Sequence, residues 1–141
     1  MQPLPSRLGT RGQELVLRDA PVSKTTATYD VWTDLDMSAA DGTDTAKFAV
    51  FTVRISIDTT LEGAVFKEAQ IRFRKNGSAT SQARMNRAAC GAGQQSSVIV
   101  TQSTTIVVEL DGAQLCEYFL TMTSGNNSNV TVEVDLIGYI K

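Results

Sequence analysis

The chain of 141 residues contains no histidine. That absence removes the usual general base, the Ser-His and Cys-His nucleophile pairs and the commonest transition-metal ligand. Ordinary triad hydrolysis is excluded, and a small enzyme of the cupin type is poorly served, because that metal site relies on histidines. A large charge of one sign is also missing: 13 Lys and Arg stand against 15 Asp and Glu, for a formal net charge of −2, too weak a field to attract nucleic acid. No stretch approaches the ~18 consecutive apolar residues that span a bilayer. The opening segment MQPLPSRLGTRGQ lacks the apolar core of a signal peptide. The expectation is a chain made in a cytoplasm, with no membrane and no nucleic-acid partner.

Cysteine is scarce as well. Cys90 and Cys116 are far apart and match neither a zinc ribbon nor a CxxC redox pair, so no metal and no cofactor are expected. Cys116 shares a parity with Tyr118, Leu120 and Met122 and reads as a small buried hydrophobe. Cys90 sits in the small-residue loop AACGAG. A disulfide between the two would need an oxidising compartment.

What the chain does have is alternation. From Ala46 to Asp58 (AKFAVFTVRISID), Ala49, Phe51, Val53, Ile55 and Ile57 fall on one parity, which in a strand is one continuous apolar face. The other parity, Phe48, Val50, Thr52, Arg54 and Ser56, begins apolar and turns polar. The first half of this strand is therefore expected to be covered on both faces and the second half on one. Further strands are predicted at Gln13–Arg18, ended by an Asp19-Ala20-Pro21 turn, and at Thr25–Asp36, with Tyr29, Val31, Thr33 and Leu35 on one parity. Met37–Thr45 reads as a polar loop. Ala64–Lys75 alternates with Val65, Ala69, Ile71 and Phe73 together, and Asn76-Gly77 after it is the strongest turn signal in the chain. At most one helical turn is expected near Ser81–Ala89. Ser97–Thr101 and Thr104–Asp111 read as two strands. Asp111-Gly112 then turns the chain into Ala113–Thr123 as a hairpin with the strand before it. Val130–Ile140 is the last strand, and its Gly138 marks a bulge or a close backbone approach. The prediction is an all-β, antiparallel, jelly-roll-like β-sandwich of about eight strands. Residues 1–24 form an N-terminal arm and leading strand, and residues 25–141 the sandwich domain.

Few constellations carry chemistry. Asp34, Asp36, Asp41 and Asp44 crowd one segment, and Glu109, Asp111 and Glu117 bracket a turn. Acids beside turns are usually solvated rather than paired across a cleft as glycoside hydrolysis requires, so the chain is read as no enzyme. Asp34-Leu-Asp36-Met-Ser38 starts like a calcium loop, but Ala39 replaces the turn glycine and Thr45 the bidentate glutamate. The glycosylation sequons at Asn76, Asn126 and Asn129 are accidents of polar turns in a chain that is not secreted. Arg72, Arg74 and Lys75 form a basic cluster able to bind an anion or another subunit. It is read as a solvated strand face, with Glu68 as the partner of Arg72 or Arg74.

The segments TYDVWTDLDMSAADGTDTAKFAVFTVRISID, IRFRKNGS, VVELDGAQLCEYFLTMT and VTVEVDLIGYIK, in that order, resemble the β-sandwich modules of tailed-phage virion proteins: capsid decoration (cement) proteins and fibre or tail-tip domains. The similarity covers about Thr25 to Lys141. It departs at Ala40–Thr45, where a polar segment replaces the usual apolar-Pro one. It implies a structural virion protein that assembles as a homotrimer and attaches to the major capsid protein on the outer head surface. Phe48, Val50, Leu61, Phe66 and Phe119 are apolar residues left over from the main core faces, and leftover apolar surface usually marks a subunit contact. Phe48 and Val50 are thus expected beneath a neighbouring subunit or the arm. Arg7 and Arg11, in an arm that also carries Pro3, Pro5, Gly9 and Gly12, are expected to meet acidic shell residues. The alternative is a receptor- or carbohydrate-binding module of a tail fibre or baseplate, for which Trp32 and Tyr139 are the candidate aromatics.

Overall fold

The computed structural model describes residues 14–24, 28–38, 46–58, 66–90, 99–122 and 130–141, excluding the side chains of 66 and 86–90. Arg7, Arg11, Asp41, Asp44, Leu61, Asn126, Asn129 and the side chains of Phe66 and Cys90 lie outside the described residues. Eight strands run in chain order: β1 (Leu15–Ser23), β2 (Trp32–Asp36), β3 (Phe48–Asp58), β4 (Phe66–Lys75), β5 (Ala83–Cys90), β6 (Ile99–Glu109), β7 (Leu115–Met122) and β8 (Val130–Ile140).

Every pairing is antiparallel, and the pairs nest: β1 with β8, β2 with β7, β3 with β6, β4 with β5. One long ribbon with its tip at the β4–β5 turn would pair this way. Folding that ribbon over itself adds β3 against β8 and β4 against β7. Two four-stranded sheets result: sheet I, ordered β1-β8-β3-β6, and sheet II, ordered β2-β7-β4-β5. The chain is therefore an antiparallel β-sandwich with jelly-roll wrapping.

The core is the meeting of the two inner parities. Ala49, Phe51, Val53, Ile55 and Ile57 of β3 are all fully buried, as are Ala69, Ile71 and Phe73 of β4. Phe51 and Phe73, one from each sheet, stack at the centre with ring centroids 5.9 Å apart. Cys116 and Leu120 are buried on β7, Val134 and Leu136 on β8. Lys67, on the inner parity of β4, is buried as well. Met37, which follows β2 outside any strand, is buried against the core.

Five sequence expectations need correction. The Asp19-Ala20-Pro21 turn is absent: β1 continues to Ser23 by bulging between Leu17 and Val22, and so keeps both ends paired to β8. Tyr29 to Leu35 do not share one face. Asp30 takes a left-handed φ of 58°, which breaks the alternation, so Val31 is exposed while Leu35 is buried. Ala83–Cys90 is a strand and not a helical turn, because pairing with β4 overrides its helix-forming composition. The two predicted strands between Ser97 and Asp111 are one, β6, since β3 pairs with it continuously from Phe48↔Glu109 to Asp58↔Ile99. Finally, β6 and β7 form no hairpin. Asp111 to Gln114 carries the chain from sheet I to sheet II, and Gln114 has a φ of 65° at the corner. Its Nε2 donates to the Ala46 carbonyl at 2.9 Å, and its own carbonyl accepts from Met37 N at 3.0 Å. One residue thus joins the start of β3 to the end of β2.

Gly138 has both roles that a glycine in a strand suggests. β8 bulges beside it, since Val50 faces Gly138 while Phe51 faces Leu136. The bulge turns Tyr139 inward, opposite Ala49. A Cβ on Gly138 would lie 2.6 Å from the Val16 carbonyl oxygen and 3.3 Å from Leu17 Cδ2. Backbone cannot yield cheaply there, so Gly138→Ala is expected to destabilise the fold by about 1–3 kcal/mol. Gly112→Ala, where nothing lies within 4 Å of the added carbon, serves as the neutral control in urea unfolding. Equal midpoints for the two variants would refute the close-approach argument.

Candidate functional site

The outer face of sheet I divides into two halves at the β8 bulge. Cross-strand register places Leu15, Ile140, Phe48 and Glu109 in one row, and Leu17, Gly138, Val50 and Val107 in the next. Beyond them the rows turn polar. Arg54 forms an ion pair with Glu133, and Ser56 Oγ shares a hydrogen bond of 2.9 Å with Thr101 Oγ1. The apolar half includes Leu15, Leu17 and Val107, which are 56%, 66% and 47% exposed, with Phe48 and Ile140 half-buried between them. Their contiguity across four strands makes this an apolar patch rather than scattered surface residues.

Phe48 and Val50 do lie on the outer parity, in this patch. Val50, however, is only 6% exposed within the chain itself, flanked by Val107 and by Leu17 lying over the bare Cα of Gly138. Its burial therefore needs no neighbouring subunit or arm. The surface that remains open belongs to Leu15, Leu17 and Val107, none of which was singled out from the sequence. Val107 could have been, because Ile106 and Val108 must face inward. Leu15 and Leu17 could not, because in QELVLR they alternate with Glu14 and Arg18, a pattern that would turn the two leucines inward.

The outer face of sheet II has a different chemistry. Trp32, Phe119, Arg72 and Arg84 lie in one row across all four strands. Trp32 and Phe119 meet at 5.3 Å between centroids. The Arg72 guanidinium lies over Phe119 at 4.5 Å and over Trp32 at 5.5 Å, while that of Arg74 lies over Trp32 at 3.8 Å. Arg74 is neutralised by Glu117 across the strand, Nε to Oε2 at 2.7 Å, and not by Glu68. Glu117 Oε2 also accepts from Gly77 N at 3.1 Å, in the turn where Gly77 takes a φ of 72°. Tyr139, the other candidate aromatic, packs toward the core of sheet I. The two aromatics thus lie on different sheets and form no common platform.

One end of the sandwich is closed by polar contacts among the predicted carboxylates. Lys75 Nζ donates to Glu109 Oε1 at 2.7 Å, and Asn76 Nδ2 to Asp111 Oδ2 at 2.8 Å. Asp111 Oδ1 accepts from Ala113 N and Leu115 N, both at 2.8 Å. The acids expected to be solvated are therefore anchors that tie the β4–β5 turn to the β6–β7 corner. Asp36 holds its own turn by accepting from Ser38 N at 2.7 Å. Burial pushes the Cys116 thiol up to about 12, with Asp111 and Glu117 adding in the same direction, so it is inert as a nucleophile in the folded chain.

No protein-family model matches the chain, and no curated protein matches it in sequence.

The anchoring carboxylates set the acid limit of the fold. The backbone N–H of Leu115 and the Asn76 amide hold Asp111 below its ordinary value, the Lys75 ammonium does so for Glu109, and the Ser38 hydroxyl and N–H for Asp36. Each folded-state value is depressed, so the unfolded chain takes up protons first as pH falls. The stabilisation is complete above the ordinary carboxylate range near ~4 and is lost below it. Urea midpoints are expected to be flat from neutral pH to ~5 and to fall below ~4. Asp111→Ala should be less stable at neutral pH and show a shallower acid decline. An unchanged slope in that variant would mean that Asp111 is not one of the acid-sensitive anchors.

Proposed function

We propose that this chain is a structural protein of a phage particle, a decoration protein that binds the outer capsid surface as a homotrimer. The apolar half of the outer face of sheet I carries this reading. Leu15, Leu17 and Val107, held open on either side of the half-buried Phe48 and Ile140, suit a permanent protein contact, and they lie around Phe48, which alternation along its strand places on the outer face. In this mechanism Leu15, Leu17, Phe48 and Val107 form the contact between subunits. Arg7 and Arg11 of the arm meet acidic residues of the major capsid protein. The trimer then bridges neighbouring capsomers and stiffens the shell by attachment at several points. No cofactor, nucleic acid or membrane enters this reading.

The alternative, a receptor- or carbohydrate-binding module of a fibre or baseplate, is weaker. It relies on Trp32 and Tyr139, which face different environments on different sheets, and the Trp32 ring is already stacked with Arg74.

Light scattering on the purified chain at micromolar concentration is expected to give three times its 15.2 kDa mass. Leu17→Glu, at an exposed position, should reduce the mass to that of one chain while leaving the thermal transition within a few degrees, as surface substitutions do. A wild-type chain that stays monomeric and shows no affinity for capsid shells would remove the proposal. Deleting Met1–Gly12 should abolish co-sedimentation with shells without unfolding the sandwich, and retained binding would dismiss the arm.

A further inference from the structure

Sheet II carries an imbalance of charge that its packing does not explain. Arg72 and Arg84 are direct cross-strand neighbours on its outer face, an arrangement in which like charges repel. Arg74, two residues along the same strand, has Glu117. No carboxylate among the described residues pairs with Arg72 or Arg84. Arg72 Nε is buried and has no hydrogen-bond acceptor, although a buried N–H is expected to have one.

These two arginines line the same hollow. It has a volume of about 340 Å³ and is walled by Arg72, Ser81, Gln82, Ala83 and Arg84, which puts it within the range of small-ligand sites. Its shape is fixed from behind. Gln82 N donates to the Phe73 carbonyl at 2.8 Å, and the Gln82 side chain both accepts from Glu109 N at 2.9 Å and donates to Glu109 Oε2 at 3.2 Å. Gln82 is thus occupied with holding the wall, and the Ser81 hydroxyl remains as a neutral donor on the rim. The Arg72 guanidinium, lying on Phe119 and beside Trp32, is held in one plane before any ligand arrives, which lowers the ordering cost of binding.

From these observations we infer that the hollow between Arg72 and Arg84 is a binding site for an oxyanion, a carboxylate or phosphate group on a small ligand. Two oxygens on one atom match the planar donors of a guanidinium. The bound anion relieves the repulsion between the two arginines. This site lies on the sheet opposite the proposed subunit contact, and the inference stands independently of it.

The only tryptophan of the chain, Trp32, is 5.5 Å from the Arg72 guanidinium and reports on the site. The experiment titrates the full chain at constant ionic strength with glucuronate, glucose 6-phosphate and neutral glucose, reading Trp32 fluorescence against sodium chloride. A saturable change is expected with one or both anions and none with glucose; the anion that binds identifies the carboxylate or the phosphate as the natural group. Arg84→Gln, at an exposed position, should weaken binding by about tenfold, the loss of one charge-assisted contact. Arg72→Lys, which keeps the charge but loses the fork, should also weaken it. The proposal fails if Arg84→Gln binds as well as wild type, if glucose gives the same response, or if the anions act only as added salt does.

Discussion

The register of β3 is the constraint on which the rest of the molecule depends. β3 is the strand of sheet I paired along its length on both sides, with β6 and with β8, and its inner parity is sealed from water from Ala49 to Ile57. Because side chains alternate with a period of two, a slip of one residue would turn all five of those side chains outward and put Phe48, Thr52 and Arg54 in the core. Burying the Arg54 charge alone would make the slipped register untenable. The bulge at Ile137 is tolerated because it falls past the polar-to-apolar transition of the outer face, where it changes which residues of β8 face Phe48 and Val50 without disturbing the Phe51 layer.

The sandwich has two unlike outer surfaces, and their energetics differ in kind. On sheet I the exposed Leu15, Leu17 and Val107 gain by being covered, at roughly 25 cal/mol for each Å² removed from water. On sheet II the aromatic rings are already in contact with cations, and a cation over a ring at the surface contributes only ~0.5–1 kcal/mol. Arg74 is kept in place chiefly by Glu117, whose carboxylate is nearly buried and also holds the Gly77 amide. Removing Arg74 would leave that carboxylate without its cation, a larger loss than the ring contact. Arg72 has the ring contacts without the acid, which is why the same face holds one settled arginine and one that is not.

Strands whose alternation is clean were legible in the sequence: β3, β4 and β8 lie where period-two patterning puts them, and the two roles of Gly138 follow from a glycine inside a strand. Elements whose conformation is dictated by distant partners were not. β5 reads as helix-compatible because its residues say nothing about β4, which imposes the strand. Asp111-Gly112 announces a turn, but a turn signal does not say whether the chain returns to the same sheet or crosses to the other, and here it crosses. The same limit applies to the surfaces. Phe48 and Val50 could be assigned to the outer face by parity within one strand. The rows that join Leu17 to Val107, or Trp32 to Arg84, run across four strands and exist only once the register is known. The carboxylates of Glu109 and Asp111 looked like solvated turn acids for the same reason, since their partners Lys75 and Asn76 are more than thirty positions away.

The nested pairing also has a consequence for how the chain is made. Among the described residues β1 pairs with β8 alone, and β3 lacks its second neighbour until β8 arrives. A nascent chain can close the inner β4–β5 ribbon early, but its sheet I core stays open until Ile140 has cleared the ribosome. Non-local pairing of this order folds slowly and leaves strand edges unprotected meanwhile. During synthesis the apolar rows of β1 and β3 are therefore exposed together beside unpaired backbone, and the growing chain is most prone to aggregation in the interval before its last strand joins.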